Sequence, residues 1–167
     1  MPITRKILSQ FPADSFVETG TYKGAALELA RSVGFRSFYS CDTDPRCVKM
    51  GLDRGFDNVR LASSPNFLRQ VLPGLSGSVT FWLDAHPNLN PMDLNDVRVP
   101  LFDELAAIHD CANAGQHTIL IDDLRTLSEA DAALLVEVVR LYWPDAVIAY
   151  HDDDLAERDI LSVQVAL

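Results

Sequence analysis

The chain has 167 residues, 48% hydrophobic and 23% charged, which fits one ordinary globular domain with a sizeable core and not comfortably two. A formal net charge of −10 disfavours non-specific nucleic-acid binding, which relies on Lys and Arg against phosphate, and equally disfavours an anionic membrane surface. The apolar runs are too short to span a bilayer, MPITRKILSQF has no long apolar core or cleavage site, and Cys41, Cys47 and Cys111 form no CxxC, so a cytoplasmic protein with buried, reduced thiols is expected.

Strand and helix signals then alternate along the chain. DSFVE (14–18) reads as a strand and KGAALELARSV (23–33) as a helix. RSFYSCD (36–42) and PRCVKMGLDRG (45–55) repeat the pair, as do NVRLA (58–62) and PNFLRQVLP (65–73). SVTFWLD (78–84) is followed by an irregular segment, HPNLNPMDLNDVRV (86–99), before the helix 99–115. HTILIDD (117–123) and the helix 128–143 come next, and two strands, AVIAYH (146–151) and DILSVQVAL (159–167), end the chain. Pro45 and Pro65 suit first helical turns, Gly34, Gly55 and Gly115 suit helix stops, and Ser128 suits an N-cap. Alternation of this kind implies one doubly wound α/β domain over residues 1–167, with a mostly parallel sheet covered on both faces. The last two strands have no helix between them, so they form a hairpin and the final strand runs antiparallel to its neighbour. A loop as long as 86–99 is usually functional or mobile, and it follows the fourth strand, where open α/β sheets place ligands.

The segment FVETGTYKG is the most informative one. A strand ends on Glu18, a small-residue turn carries Gly20 and Gly24, and a helix opens. Glycine permits positive φ and close approach of a ligand to the backbone, and amides at a helix start can hold an anionic group. The spacing E-x-G-x-x-x-G, with Tyr22 where a middle small residue would stand, departs from the G-x-G-x-x-G of dinucleotide sites. Glu18 also puts an acid in the pocket, which suits a cationic ligand better than a pyrophosphate. Asp42 follows Glu18 by 24 positions, a spacing at which an acid holds ribose hydroxyls. The carboxyl ends of the five parallel strands carry Glu18, Asp42, Ser63 and Ser64, Asp84, and Asp122 with Asp123. Asp84, Asp122 and Asp123 would repel one another without a cation, and an all-oxygen set suits a hard ion, Mg²⁺ above all. His86 is placed to take a proton near neutral pH. His109, His117 and His151 are expected to be structural, Trp82 to be core, Arg125 to balance the acids with contact to an acceptor as the alternative, and HDDD (151–154) to be a solvated turn.

ETGTYKG, CDTDP, WLDAH and LIDDLR together resemble the class I S-adenosylmethionine-dependent methyltransferases, whose Rossmann-like sheet has seven strands. More narrowly, they are similar to the metal-dependent O-methyltransferases of the catechol and macrocin types. The resemblance covers about residues 14–125. It implies that the turn from Thr19 through Gly20, Thr21 and Tyr22 to Gly24 approaches the methionine part of S-adenosylmethionine, with Glu18 nearby. It implies that Asp42 holds the ribose, that Ser63 and Ser64 border the adenine, and that Asp84 lies against cofactor and metal alike. Asp84, Asp122 and Asp123 would be ligands of Mg²⁺ or another divalent cation, and His86 the general base beside Asp84. Catechol-type enzymes use a lysine near here, where this chain has Asn88. It also lacks their N-terminal helical cover, so the pocket is expected to be open or completed by a second copy in a homodimer.

The expected activity is therefore O-methyl transfer to a hydroxyl of a small molecule or carbohydrate, with no nucleic-acid or membrane partner. The rivals are an NAD-dependent oxidoreductase on the same kind of sheet and a non-catalytic binding module. The turn spacing argues against the first, and fold alone does not decide the second.

Overall fold

The computed structural model describes residues 3–85, 100–153 and 155–166. Seven strands form one sheet: β1 (Ser15–Thr19), β2 (Ser37–Asp42), β3 (Val59–Leu61), β4 (Val79–Leu83), β5 (Gln116–Ile121), β6 (Val147–His151) and β7 (Ile160–Ala166). Their order across the sheet is β3-β2-β1-β4-β5-β7-β6. The pairs β1–β2, β1–β4, β2–β3 and β4–β5 are parallel, and β7 runs antiparallel to both β5 and β6. Six strands thus share one direction and β7 opposes them, as the helix-less link between the last two strands requires.

Among the described residues six α-helices cover the sheet: α1 (Arg5–Leu8), α2 (Ala25–Val33), α3 (Pro45–Asp53), α4 (Ser64–Val71), α5 (Leu101–Cys111) and α6 (Glu129–Tyr142). One core cluster joins Phe67, Phe81, Leu105, Ile108 and Val163 beneath α4, α5 and α6. The other joins Ile7, Phe16, Leu27, Trp82 and Leu120 on the opposite face, beneath α1 and α2. Every residue of β1 and β4 is buried, as expected of central strands covered on both faces. From β1 the chain winds outward through β2 and β3, then returns to place β4 on the other side of β1. The order therefore reverses between β1 and β4, and an open α/β sheet leaves a crevice at such a point.

The expected helix starts and stops hold with one exception. Pro45 and Pro65 lie in first turns, and Ser128 Oγ accepts from the Asp131 amide at 3.1 Å. Gly34 (φ 108°) follows the last residue of α2, and Gly55 (φ 79°) comes just after the end of α3. Gly115 is not a stop: α5 ends four residues earlier, and Ala112 is already extended. Tertiary bonds fix Asn113 instead. Its side-chain amide donates to the Leu72 and Leu75 carbonyls, and its carbonyl accepts from His117 Nε2 at 2.8 Å. The short α1 has no counterpart among the expected elements, because four residues are too few to show a helical period. Cys41, Cys47 and Cys111 are free thiols, of which only Cys41 is fully buried. Among the described residues no helix is long and apolar enough to cross a membrane.

Candidate functional site

Strand register brings the acids together. Thr19 pairs with Cys41 of β2 and with Leu83 of β4, and Leu83 pairs with Ile121 of β5. The next residue on each strand therefore falls in one transverse row: Asp42, Gly20, Asp84, Asp122. Backbone bonds carry the ladder onto that row, from Gly20 N to Cys41 O (3.0 Å), Asp84 N to Thr19 O (3.2 Å) and Asp122 N to Leu83 O (3.1 Å). Glu18 lies two residues back from Gly20, on the same face of the pleat. Four acids from four strands thus gather at the β1/β4 reversal, over a position that has no side chain.

Gly20 is required there for a reason internal to the protein. Its φ is +88°, and a Cβ would stand 2.5 Å from the Asp84 carbonyl oxygen. The close approach made possible by this glycine is thus to the β4 backbone. Thr19, Thr21 and Tyr22 complete the turn, and Gly24 (φ 71°) is the N-cap of α2. Four of the turn's amides are engaged within the chain: Gly20 N and Thr21 N donate to Cys41 O, Tyr22 N to Asp42 Oδ2 (2.9 Å), and Gly24 N to Thr21 O. A pyrophosphate cradle needs such amides pointing outward.

Glu18 is 2% exposed. Ser40, opposite it on β2, donates to Glu18 Oε2 at 2.6 Å, and Thr21 Oγ1 lies 2.7 Å from Ser40 Oγ. Ser40 has a single hydroxyl hydrogen, so the chain of donation runs from Thr21 through Ser40 to Glu18. Burial foremost, and then the charges of Asp84 and Asp42, hold the Glu18 carboxyl well above the usual carboxylate range, against the Ser40 bond. Asp42 accepts from the Asp44 amide through its other oxygen (2.8 Å) and so fixes the turn to the start of α3. Ser63 is the N-cap of α4 without a side-chain cap bond, and Ser64 is buried beside it.

Asp84, Asp122 and Asp123 meet as expected: each offers a carboxylate oxygen, and the three oxygens lie within 4.8 Å of one another. Asp123 adopts the left-handed conformation (φ 55°) that follows β5, and its amide donates to Asp122 Oδ1. Arg125 Nη2 lies 2.5 Å from Asp123 Oδ1, which bears out the charge-balancing reading of this arginine. Trp82 is core, as expected, but its indole N–H also donates to Asp84 Oδ2 at 3.3 Å. His86 and the segment 86–99 lie outside the described residues.

The other histidines have structural surroundings. His117 Nδ1 accepts from the Val79 amide and Nε2 donates to Asn113 O, so both ring nitrogens are engaged. His151 bonds Ser162, and His109 stacks on Tyr142. Of the segment expected to be a solvated turn, Asp154 lies outside the described residues, and Asp153 is not solvated: it has no exposed side-chain surface and accepts from the Leu155 and Ala156 amides. Sequence reasoning passed over Ser40, whose hydroxyl in the middle of an apolar strand was the available signal. It also passed over Glu104, a buried acid in the first turn of α5. Burial first, and then the Glu104 carboxylate, push the Cys41 thiol upward. An open polar cleft of about 380 Å³, lined by Asp14, Ser15, Ser37, Tyr39 and Gly77 among others, lies at the opposite, amino-terminal edge and shares no residue with the acidic rim.

No known family model matches this sequence. No curated protein matches it either. Solved structures do. An rRNA methylase from Streptococcus thermophilus superposes with a TM-score of 0.60 at 16% identity, covering 98% of this chain and 94% of the other. A SAM-dependent methyltransferase from Archaeoglobus fulgidus gives 0.59 at 11% identity, covering 98% and 95%. Human methyltransferase-like protein 13, solved in complex with SAH, gives 0.62 at 15% identity, covering 98% and 76%. The fold is the class I methyltransferase fold. At these identities the likeness speaks for architecture alone, and none of the three is named as a metal-dependent O-methyltransferase.

Proposed function

We propose that this protein is an S-adenosylmethionine-dependent methyltransferase whose cofactor binds over the row Asp42–Gly20–Asp84–Asp122. The observation that carries this reading is the charge of that row together with its missing side chain. Acids on four adjacent strands converge where the strand order reverses, and Glu18 is buried among them with one hydroxyl donor. Such a rim repels a pyrophosphate and attracts a nucleoside bearing ammonium and sulfonium charges. The engaged turn amides point the same way, against an NAD-dependent oxidoreductase.

The residues fit the cofactor group by group. Asp42 offers its carboxylate to the ribose hydroxyls, Asp84 offers negative charge to the amino-acid end with the Glu18 carboxyl beside it as a hydrogen-bonding group, and Ser63 and Ser64 border the base. When bound, S-adenosylmethionine supplies a methyl group on a positively charged sulfur. The contribution of this chain is to hold that methyl and an acceptor in attack geometry.

The finer reading is O-methyl transfer to a hydroxyl of a small molecule or carbohydrate. The carboxylates of Asp84, Asp122 and Asp123 suit a hard divalent cation, and Mg²⁺ there would lower the pKa of a bound hydroxyl. His86 is the proposed proton acceptor. A small acceptor is supported by the net charge of −10, which opposes an RNA substrate.

Calorimetry with S-adenosylhomocysteine (SAH) tests the core of this proposal, with Asp42→Ala alongside. One saturable site, weakened on the order of 10–100-fold by the substitution, is expected. No binding to the folded protein would remove the proposal. Mass spectrometry of hydroxyl acceptors with and without Mg²⁺ then tests the finer reading.

A further inference from the structure

The corner where β5 leaves the sheet already contains a cation. Arg125, in the short 3-10 turn Leu124–Thr126, places Nη2 2.5 Å from Asp123 Oδ1. Nη1 pairs with Asp159 Oδ2 and lies 3.8 Å from Asp153 Oδ2. The Arg125 amide donates to Asp159 Oδ1 at 2.8 Å, and the Leu124 amide donates to the Asp159 carbonyl at 3.0 Å. The side chains of Asp153 and Asp159 are wholly buried, whereas that of Arg125 keeps 36% of its surface. The guanidinium is thus anchored in the β6–β7 connection and reaches outward to Asp123. Asp123 is at the same time one of the three rim carboxylates that lie within 4.8 Å of one another. A divalent ion held by that rim would therefore share Asp123 with Arg125.

We infer that Arg125 is a resident counter-cation that competes with a divalent ion for Asp123 and thereby sets the divalent affinity of the rim. This deepens the divalent reading above and rests on it. A guanidinium beside Asp123 relieves the repulsion that Asp84, Asp122 and Asp123 exert on one another, so the corner can fold without metal. A divalent ion coordinated by Asp123 would stand next to that positive charge, and full coordination requires Arg125 to give up its pairing with Asp123 while keeping that with Asp159. Occupancy of the rim is in this way linked to the β6–β7 connection through one side chain.

The test is a Mn²⁺ titration of the full chain without cofactor, followed by electron paramagnetic resonance. The wild type is compared with Arg125→Met, with the double variant Arg125→Met/Asp159→Asn and with Arg125→Lys. The double variant removes Arg125 together with one of its buried partners, so it remains informative where the single substitution leaves Asp159 uncompensated and unfolds the chain. The inference predicts Mn²⁺ binding on the order of tenfold tighter in the Met variants, with the Lys variant between them and the wild type. Equal or weaker binding by folded Met variants would overturn the inference and leave the divalent site standing. Absence of Mn²⁺ binding in every chain would overturn the inference and the divalent reading together, while SAH binding is judged separately.

Discussion

Asp42 uses both carboxylate oxygens on backbone amides, those of Tyr22 and Asp44, and is also the proposed ribose acceptor. Its replacement by Ala is thus expected to loosen the turn as well as remove a ligand contact. Gly20 is more tightly constrained. Gly20→Ala forces a Cβ against the Asp84 carbonyl at a positive φ, and a loss of about 3 kcal/mol in chemical denaturation is expected. Glu18 gives a pH signature. Its folded pKa is raised, so above the ordinary value of 4.5 the folded protein keeps a proton that the unfolded chain has released. Stability therefore falls as pH climbs from there toward the raised folded value. Glu18→Gln keeps the shape without the charge. The variant should melt higher than the wild type at about pH 8, and the gap should shrink toward pH 4.5. Equal melting curves across that range would show that Glu18 carries no charge penalty. The acids themselves were legible in the sequence because each ends an apolar run. Ser40 showed only as a hydroxyl inside an apolar strand, and the part played by the Trp82 indole did not show at all, because their polar atoms gain partners only once the register is known.

The elements were largely readable because each strand is a short β-branched or aromatic run closed by an acid, Gly or Pro. Boundaries agreed to within a few residues wherever a local signal set them, as at Ser128, whose replacement by Ala should cost about 1 kcal/mol of stability. They failed where tertiary contacts decided, as at the end of α5, which Asn113 fixes through bonds to a distant carbonyl pair. On α5 Leu105 is fully buried within the cluster beneath α4, α5 and α6, and Leu105→Ala should cost about 3 kcal/mol by urea denaturation.

Across the whole molecule, alternation of strand and helix was enough to predict a parallel sheet with a terminal antiparallel strand, and the sheet observed has that form. The register was not readable, since no local pattern states that Gly20, Asp42, Asp84 and Asp122 share one row. That row is where the fold becomes a site: winding outward on both sides of the β1/β4 reversal leaves four strand ends open to one ligand. Amide chemical-shift mapping with SAH on isotope-labelled protein puts the claim to its most direct test. The largest shifts should fall on Gly20, Tyr22, Asp42 and Asp84; shifts confined to the Asp14–Gly77 cleft, or none at saturating ligand, would contradict it.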